Sequence, residues 1–190
     1  MALLSRIRGK WLKFACSRTA RSRGGAVAGL NKVSLSVPIV ADGKGQVILG
    51  ARSSFGCRDA PICGNGHIRL QARTATARIQ IGEQCAFSNN VTLCALNSIV
   101  MGNACLIGEM VTIMDADHHE LSPRDRWTGS GRIAPVVIGD NVWIGSRVII
   151  LAGVTIGANS VIGAGAVVTK SIPPDTVAAG NPARPIRSLV

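Results

Sequence analysis

From Ile138 to Pro173 the chain divides without a break into hexads: IGDNVW, IGSRVI, ILAGVT, IGANSV, IGAGAV and VTKSIP. Each opens with Ile or Val, and in most of them Gly follows. The fifth position is smaller: Val142, Val148, Val154, Ser160 and Ala166, with Ile172 the exception. A helix repeats its apolar residues at spacings of three and four, and a hairpin alternates between turns. A strict period of six suits neither. It suits a triangular coil in which three short strands and three corners use eighteen residues, so that stacked coils share one core. Ile138 then lies against Ile156, Ile144 against Ile162, and Ile150 against Val168. The opening aliphatics fill the prism, the fifth residues sit near its corners, and Gly relieves the backbone at tight bends. Hydrogen bonds between coils satisfy the backbone groups.

The cadence continues upstream with less regularity. Hexads open at 81, 87 and 93, two extra residues follow, and further hexads open at 101 and 107. Ile113 opens the third unit of that coil, yet the next clean unit begins only at Ile138. That is twenty-five residues on instead of six, so about nineteen are inserted at one corner, beginning with DADHHEL at 115–121. Before residue 81 the pattern is faint, and VILGARSSF (47–55) with ICGNGHIRL (62–70) are read as one or two irregular opening coils. At the far end Pro173 and Pro174 close the repeat, leaving one further strand and a basic terminus.

Composition agrees with narrow aliphatic coils. Apolar residues make up 47% of the 190, yet aromatics are only 3%, and charged residues are 16%. Such a balance argues against disorder and against long solvent-exposed helices. The net charge of +11 is concentrated at the start, where the first 25 residues hold seven Lys or Arg and no acid. Residues 1–30 are therefore read as a basic amphipathic extension and 31–190 as the coil domain. Leu3, Leu4, Ile7, Trp11, Leu12 and Phe14 among the basic residues suit peripheral contact with an anionic membrane surface. A merely solvated tail is the other reading, and nucleic acid is a weaker third. No apolar run is long enough to cross a bilayer. Cys85 and Cys105 fall at fifth positions, where core packing explains them, and no CxxC pair suggests zinc. A reducing cytoplasm, with the inner membrane face as a further option, is the expected compartment.

These residues resemble the hexapeptide-repeat acyltransferases, over roughly residues 45–188. The most specific stretch, IGDNVWIGSRVIILAGVTIGANSVIGAGAVVTKSIPPDTVAAGNPARPIR, is similar to the sugar O-acetyltransferase branch, which holds maltose and galactoside enzymes and those of surface-polysaccharide biosynthesis. The resemblance implies an all-β, left-handed parallel β-helix with one inserted loop. It further implies acetyl-CoA as co-substrate, no metal, a small-molecule or glycan acceptor, and a homotrimer with clefts between neighbouring prisms.

Acetyl transfer from a thioester to a hydroxyl needs a base that takes the hydroxyl proton, and neutral imidazole serves near pH 7. The family places its base in the inserted loop. Aligned on the D-x-D-x-H form, that base is His119; counted without gaps from VTI, it is His118. Asp115 and Asp117 would orient the base or bind sugar hydroxyls, with turn-forming loop acids as the plainer reading. Ser88 and Asn90 would face the acceptor, although the galactoside enzymes carry Asn in place of Ser88 and an acid in place of Leu96. Trp143 would wall the acetyl and pantetheine end. Gly163 and Ala164 would admit the pantetheine arm, with Lys170, Arg184 and Arg187 meeting the nucleotide phosphates. The competing functions are a non-catalytic β-helix scaffold, an N-acyltransferase on an amino sugar, and a zinc carbonic anhydrase on the same prism. The last suffers because His118 and His119 are adjacent and His67 lies far upstream.

Overall fold

The structure, a computed structural model, describes residues 10–13, 16, 25–57 and 66–190. Its strands form three sheets, the three faces of a prism. The first face stacks Ala26–Ala28, Gln46–Leu49, Arg78–Ile81, Ser98–Met101, Val136–Ile138 and Thr155–Ile156. The second stacks Ser34–Leu35, Ser54–Phe55, Ala86–Phe87, Leu106–Ile107, Trp143–Ile144, Val161–Ile162 and Thr176–Gly180. The third stacks Ile39–Gly43, Ile68–Ala72, Thr92–Ala95, Thr112–Met114, Ile149–Ile150 and Val167–Val168. These ladders are parallel. One antiparallel strand, Ala183–Ser188, caps the second face. After the paired prolines one strand is expected from the sequence; there are two, because Asn181–Pro182 turns the chain back on itself.

Ile138 pairs with Ile156, Ile144 with Ile162, and Ile150 with Val168, the eighteen-residue register expected. Ile81 pairs with Met101, twenty residues on, and Met101 with Ile138, thirty-seven on. That second interval exceeds eighteen by the nineteen residues of the inserted loop. The opening aliphatics of each hexad are buried, as are the small residues at the fifth positions. Cys85 and Cys105 are buried thiols of this core. Lower in the prism Phe55 stacks on Phe87, ring centres 4.8 Å apart, and fills the wider opening coils.

The bends differ in one respect from the expectation. In the first five hexads the left-handed residue is the fourth, at Asn141, Arg147, Gly153, Asn159 and Gly165. The second-position glycines answer to a different demand. A Cβ at Gly139 would lie 2.6 Å from the backbone nitrogen of Ala158 in the next coil, well inside contact distance. These glycines let coils stack closely; they do not turn the chain.

The stack also starts earlier than its cadence shows, since Ala26–Ala28 pairs with Gln46–Leu49. Cys16 belongs to the buried core and Leu12 is buried, whereas Trp11 is exposed. Leu12 is therefore turned inward and is not available to a bilayer. Leu3, Leu4, Ile7 and Phe14 lie outside the described residues.

Candidate active site

The inserted loop leaves the third face after Met114 and returns to the first at Val136. Its root is an antiparallel pairing: Ala116 bridges Ile133, the amide of Asp117 donates to the carbonyl of Arg132, and that of Ala134 to the carbonyl of Asp115. Asp115 is wholly buried. One of its carboxylate oxygens accepts from the amide of Leu96 at 2.8 Å, the other from the amide of Asn97 at 2.7 Å. This corrects the acceptor-binding role expected for Asp115. Both oxygens are spent on the backbone of the coil below, so the side chain is a clamp that ties the loop to its corner. Asp117 is exposed beside the cleft under the loop.

The two histidines part company here. His118 takes a left-handed backbone conformation, φ 66°, and turns onto the third face. Its Nδ1 lies 3.4 Å from a guanidinium nitrogen of Arg73, and its Nε2 3.8 Å from Sγ of Cys94. Arg73 can only donate, so Nδ1 accepts and the proton of the neutral ring sits on Nε2. Burial, and after it the charge of Arg73, hold the His118 pKa below the ordinary imidazole value. Burial likewise pushes the Cys94 thiol up. A folded state that excludes a proton draws from this a stability that is fully present above the ordinary imidazole pKa and is lost as pH falls from there through the depressed folded-state value. By NMR titration, His118 should protonate below the usual imidazole midpoint, and Arg73→Gln should move it upward.

His119 is exposed, and its Nδ1 lies 3.0 Å from the carbonyl of Arg126 across the loop. A carbonyl only accepts, so Nδ1 carries the proton and Nε2 keeps its lone pair. The ring lines an open cleft of about 420 Å³ with Met114, Ala116, Asp117, Glu120 and Leu151 among its walls. At Gly131, φ 68°, a Cβ would lie 2.3 Å from the carbonyl oxygen of His119, so only glycine lets the returning strand pass this close. Leu121 and Trp127, both more than four-fifths exposed, stand on the outer part of the loop.

A second groove of about 360 Å³ runs along the second face between Cys57, Ser88, Leu106 and Trp143. Ser88 and Trp143 are thus brought together. Asn90 is a corner residue with φ 58° and is not among the residues lining this groove. Trp143, just over half exposed, heads an outward column that passes through Val161 and Val177 to Arg187. Gly163, at the neighbouring edge, abuts Ala179, which pairs with Arg184, and Ala164 is exposed beside it. Lys170 is exposed on the edge between third and first faces, one edge further round the prism.

The loop stands on that same third–first edge, opposite the second face. Within one chain, therefore, His119 and Trp143 do not share a cleft. Two participants are not evident from the sequence, the Arg126 carbonyl and Arg73. The first is a backbone group without a sequence signal. The second announces itself only as alternation of long polar residues in RLQAR.

The profile of the family described as bacterial transferase hexapeptide (six repeats) matches residues 135–170. The chain is 46% identical over 116 residues to galactoside O-acetyltransferase of Escherichia coli (strain K12), covering 60% of this chain and 55% of that protein. Among solved structures, a maltose O-acetyltransferase from Clostridium difficile 630 is 30% identical. That match covers 99% of this chain and 88% of the other, with a TM-score of 0.52. A galactoside acetyltransferase in complex with coenzyme A is 29% identical, covering 98% and 81%, with a TM-score of 0.55. The chain belongs to the hexapeptide-repeat acetyltransferase family, and its fold is the left-handed parallel β-helix. It spans from about a third to a little over half the length of the curated relatives it matches.

Proposed function

We propose that this protein transfers an acetyl group from acetyl-CoA to a hydroxyl of a sugar or polysaccharide precursor, with His119 as general base. The observation that carries the reading is the bond from His119 Nδ1 to the Arg126 carbonyl, which leaves Nε2 as a lone-pair acceptor beside an open cleft. His118 is less suited, because Arg73 and Cys94 occupy both of its nitrogens. In the reaction Nε2 takes the acceptor's proton as the hydroxyl oxygen attacks the thioester carbonyl. The C–S bond then breaks, and the imidazolium returns the proton to the departing thiolate.

The donor is assigned to the second face of a neighbouring protomer, and the assembly to a homotrimer. Three facts support this. His119 and Trp143 lie on opposite sides of one prism. Leu121 and Trp127 project almost fully exposed from the loop, as residues meant for a partner's surface do. From Trp143 the outward column reaches Arg187 in three strand steps, roughly 14 Å, a span suited to a pantetheine arm with its phosphates on Arg187 and Arg184. Lys170 would reach a coenzyme only across another edge of the assembly.

The test is release of free thiol from acetyl-CoA in the presence of sugar acceptors. Trp143→Ala should raise KM for acetyl-CoA about tenfold, the loss of one aromatic wall, with the KM for the acceptor less affected. Absence of acetyl-CoA binding by the purified protein would return the chain to the scaffold reading.

A further inference from the structure

The outward positions of the third face are mostly uncharged: Thr92, Cys94, Thr112, Met114, Ile149 and Val167. One row breaks that pattern. Along Ile68–Ala72 and the residue after it, Arg69, Gln71 and Arg73 alternate outward while Leu70 and Ala72 are buried. The row is organised from below. Asp42, its side chain 5% exposed, accepts from Arg69 at 3.2 Å and from Gln71 Nε2 at 2.7 Å. Gln71 in turn accepts from Arg73 Nε at 2.8 Å, and Arg73 reaches His118, the residue before the assigned base.

This arrangement leaves guanidinium donors to spare. Each guanidinium has five N–H groups. Arg69 uses one on Asp42, and Arg73 uses two, on Gln71 and His118. The remaining donors have no partner among the described residues. The nearest carboxylates do not compete for them. Asp42 lies beneath the row and already binds it, and Asp115 is consumed by the amides of Leu96 and Asn97. Two planar forks, ordered by a buried acid and short of acceptors, are a ready place for an oxyanion. The coenzyme's phosphates are a poor occupant. In the sheet order this strand is four steps from Val167–Val168, roughly 19 Å, at the end of the stack away from Arg184 and Arg187. It is only two steps from the strand that launches the loop.

We propose that the Arg69–Gln71–Arg73 row is an anion subsite for the acceptor, so that the hydroxyl acetylated belongs to a sugar bearing a carboxylate or a phosphate. The inference rests on the O-acetyltransferase reading and narrows its acceptor class. It accounts for a cationic row that touches His118, the residue before the assigned base, for which a neutral sugar has no use.

The experiment offers the full-length protein three acceptors with acetyl-CoA: methyl glucuronide, glucose 1-phosphate and neutral methyl glucoside. At least one anionic acceptor should exceed the neutral one in kcat/KM by about tenfold, and which one separates carboxylate from phosphate. Arg69→Gln and Arg73→Gln should each erase most of that advantage through KM for the acceptor, leaving KM for acetyl-CoA unchanged. Arg73→Lys should restore part of it. Because Arg69 does not touch His118, its variant remains informative if the loop shifts in the other. Equal use of all three acceptors, or a preference that survives both Gln variants, overturns the subsite. If none is acetylated, ligand-observed NMR decides. Anionic glycosides that bind the wild type and not the Gln variants support the subsite, and acetyl-CoA binding without any glycoside binding overturns it. Failure to bind acetyl-CoA overturns the enzyme reading itself.

Discussion

Replacing His119 with Ala lowers the rate of acetyl transfer by about 10²–10⁴-fold, the usual loss when a positioned general base is removed. The fold should survive, because the side chain is exposed and bonds a loop carbonyl. Acetyl-CoA should still bind, since no donor contact is assigned to this ring. His118→Ala separates the two imidazoles. It removes contacts to Arg73 and Cys94, so a modest loss is expected, expressed through acceptor KM more than through kcat. Steady-state rates with circular dichroism of each variant check this. If His118→Ala alone abolished turnover while His119→Ala retained it, the assignment of the base would be reversed.

The other large effect is on stability. Asp115→Ala strips two backbone amides, at Leu96 and Asn97, of a buried charged acceptor. Unsatisfied buried donors and lost charge-assisted bonds together cost about 3–5 kcal/mol. For a chain of this size that lowers the thermal midpoint by roughly 10 °C. Asp115→Asn keeps one acceptor oxygen and should lose about half as much. Activity should fall with Asp115→Ala as well, because the root of the loop that carries His119 is released. A midpoint within a degree of wild type would show that the clamp contributes nothing and that Asp115 is free for another role.

The later coils were legible because one side chain per six residues reports directly on the interior. Ile138, Ile144 and Ile150 state the register without help from any distant residue. The nineteen-residue insertion was legible for the same reason, as the distance by which the cadence is late. The opening coils were not. Phe55 and Phe87 stack at an interval of thirty-two residues, and the short strands Ala26–Ala28 and Ser34–Leu35 carry too few aliphatics to announce a period. At the site, imidazoles in an inserted loop can be read from the sequence, but their division of labour cannot. It follows from what stacking brings near them. Arg73 comes from forty-five residues upstream to meet His118, and the amides that claim Asp115 lie one coil below. The glycines teach a similar lesson. Their positions were visible, yet whether each turns the chain or makes room for the next coil depends on neighbours eighteen residues away.

A cleft built from two protomers can be tested by mixing two inactive ones. His119→Ala and Trp143→Ala chains are co-refolded or co-expressed in equal amounts and assayed at acetyl-CoA well below the wild-type KM, where the first is nearly silent alone and the second keeps about a tenth of wild-type activity. If His119 of one protomer serves the donor held by Trp143 of the next, a random cyclic assembly contains native pairs at about one site in four. Activity should then return to about a quarter of the wild-type value. Mixtures no more active than the separate variants, under conditions where exchange of protomers is verified, would contradict a shared site and place base and donor on one chain.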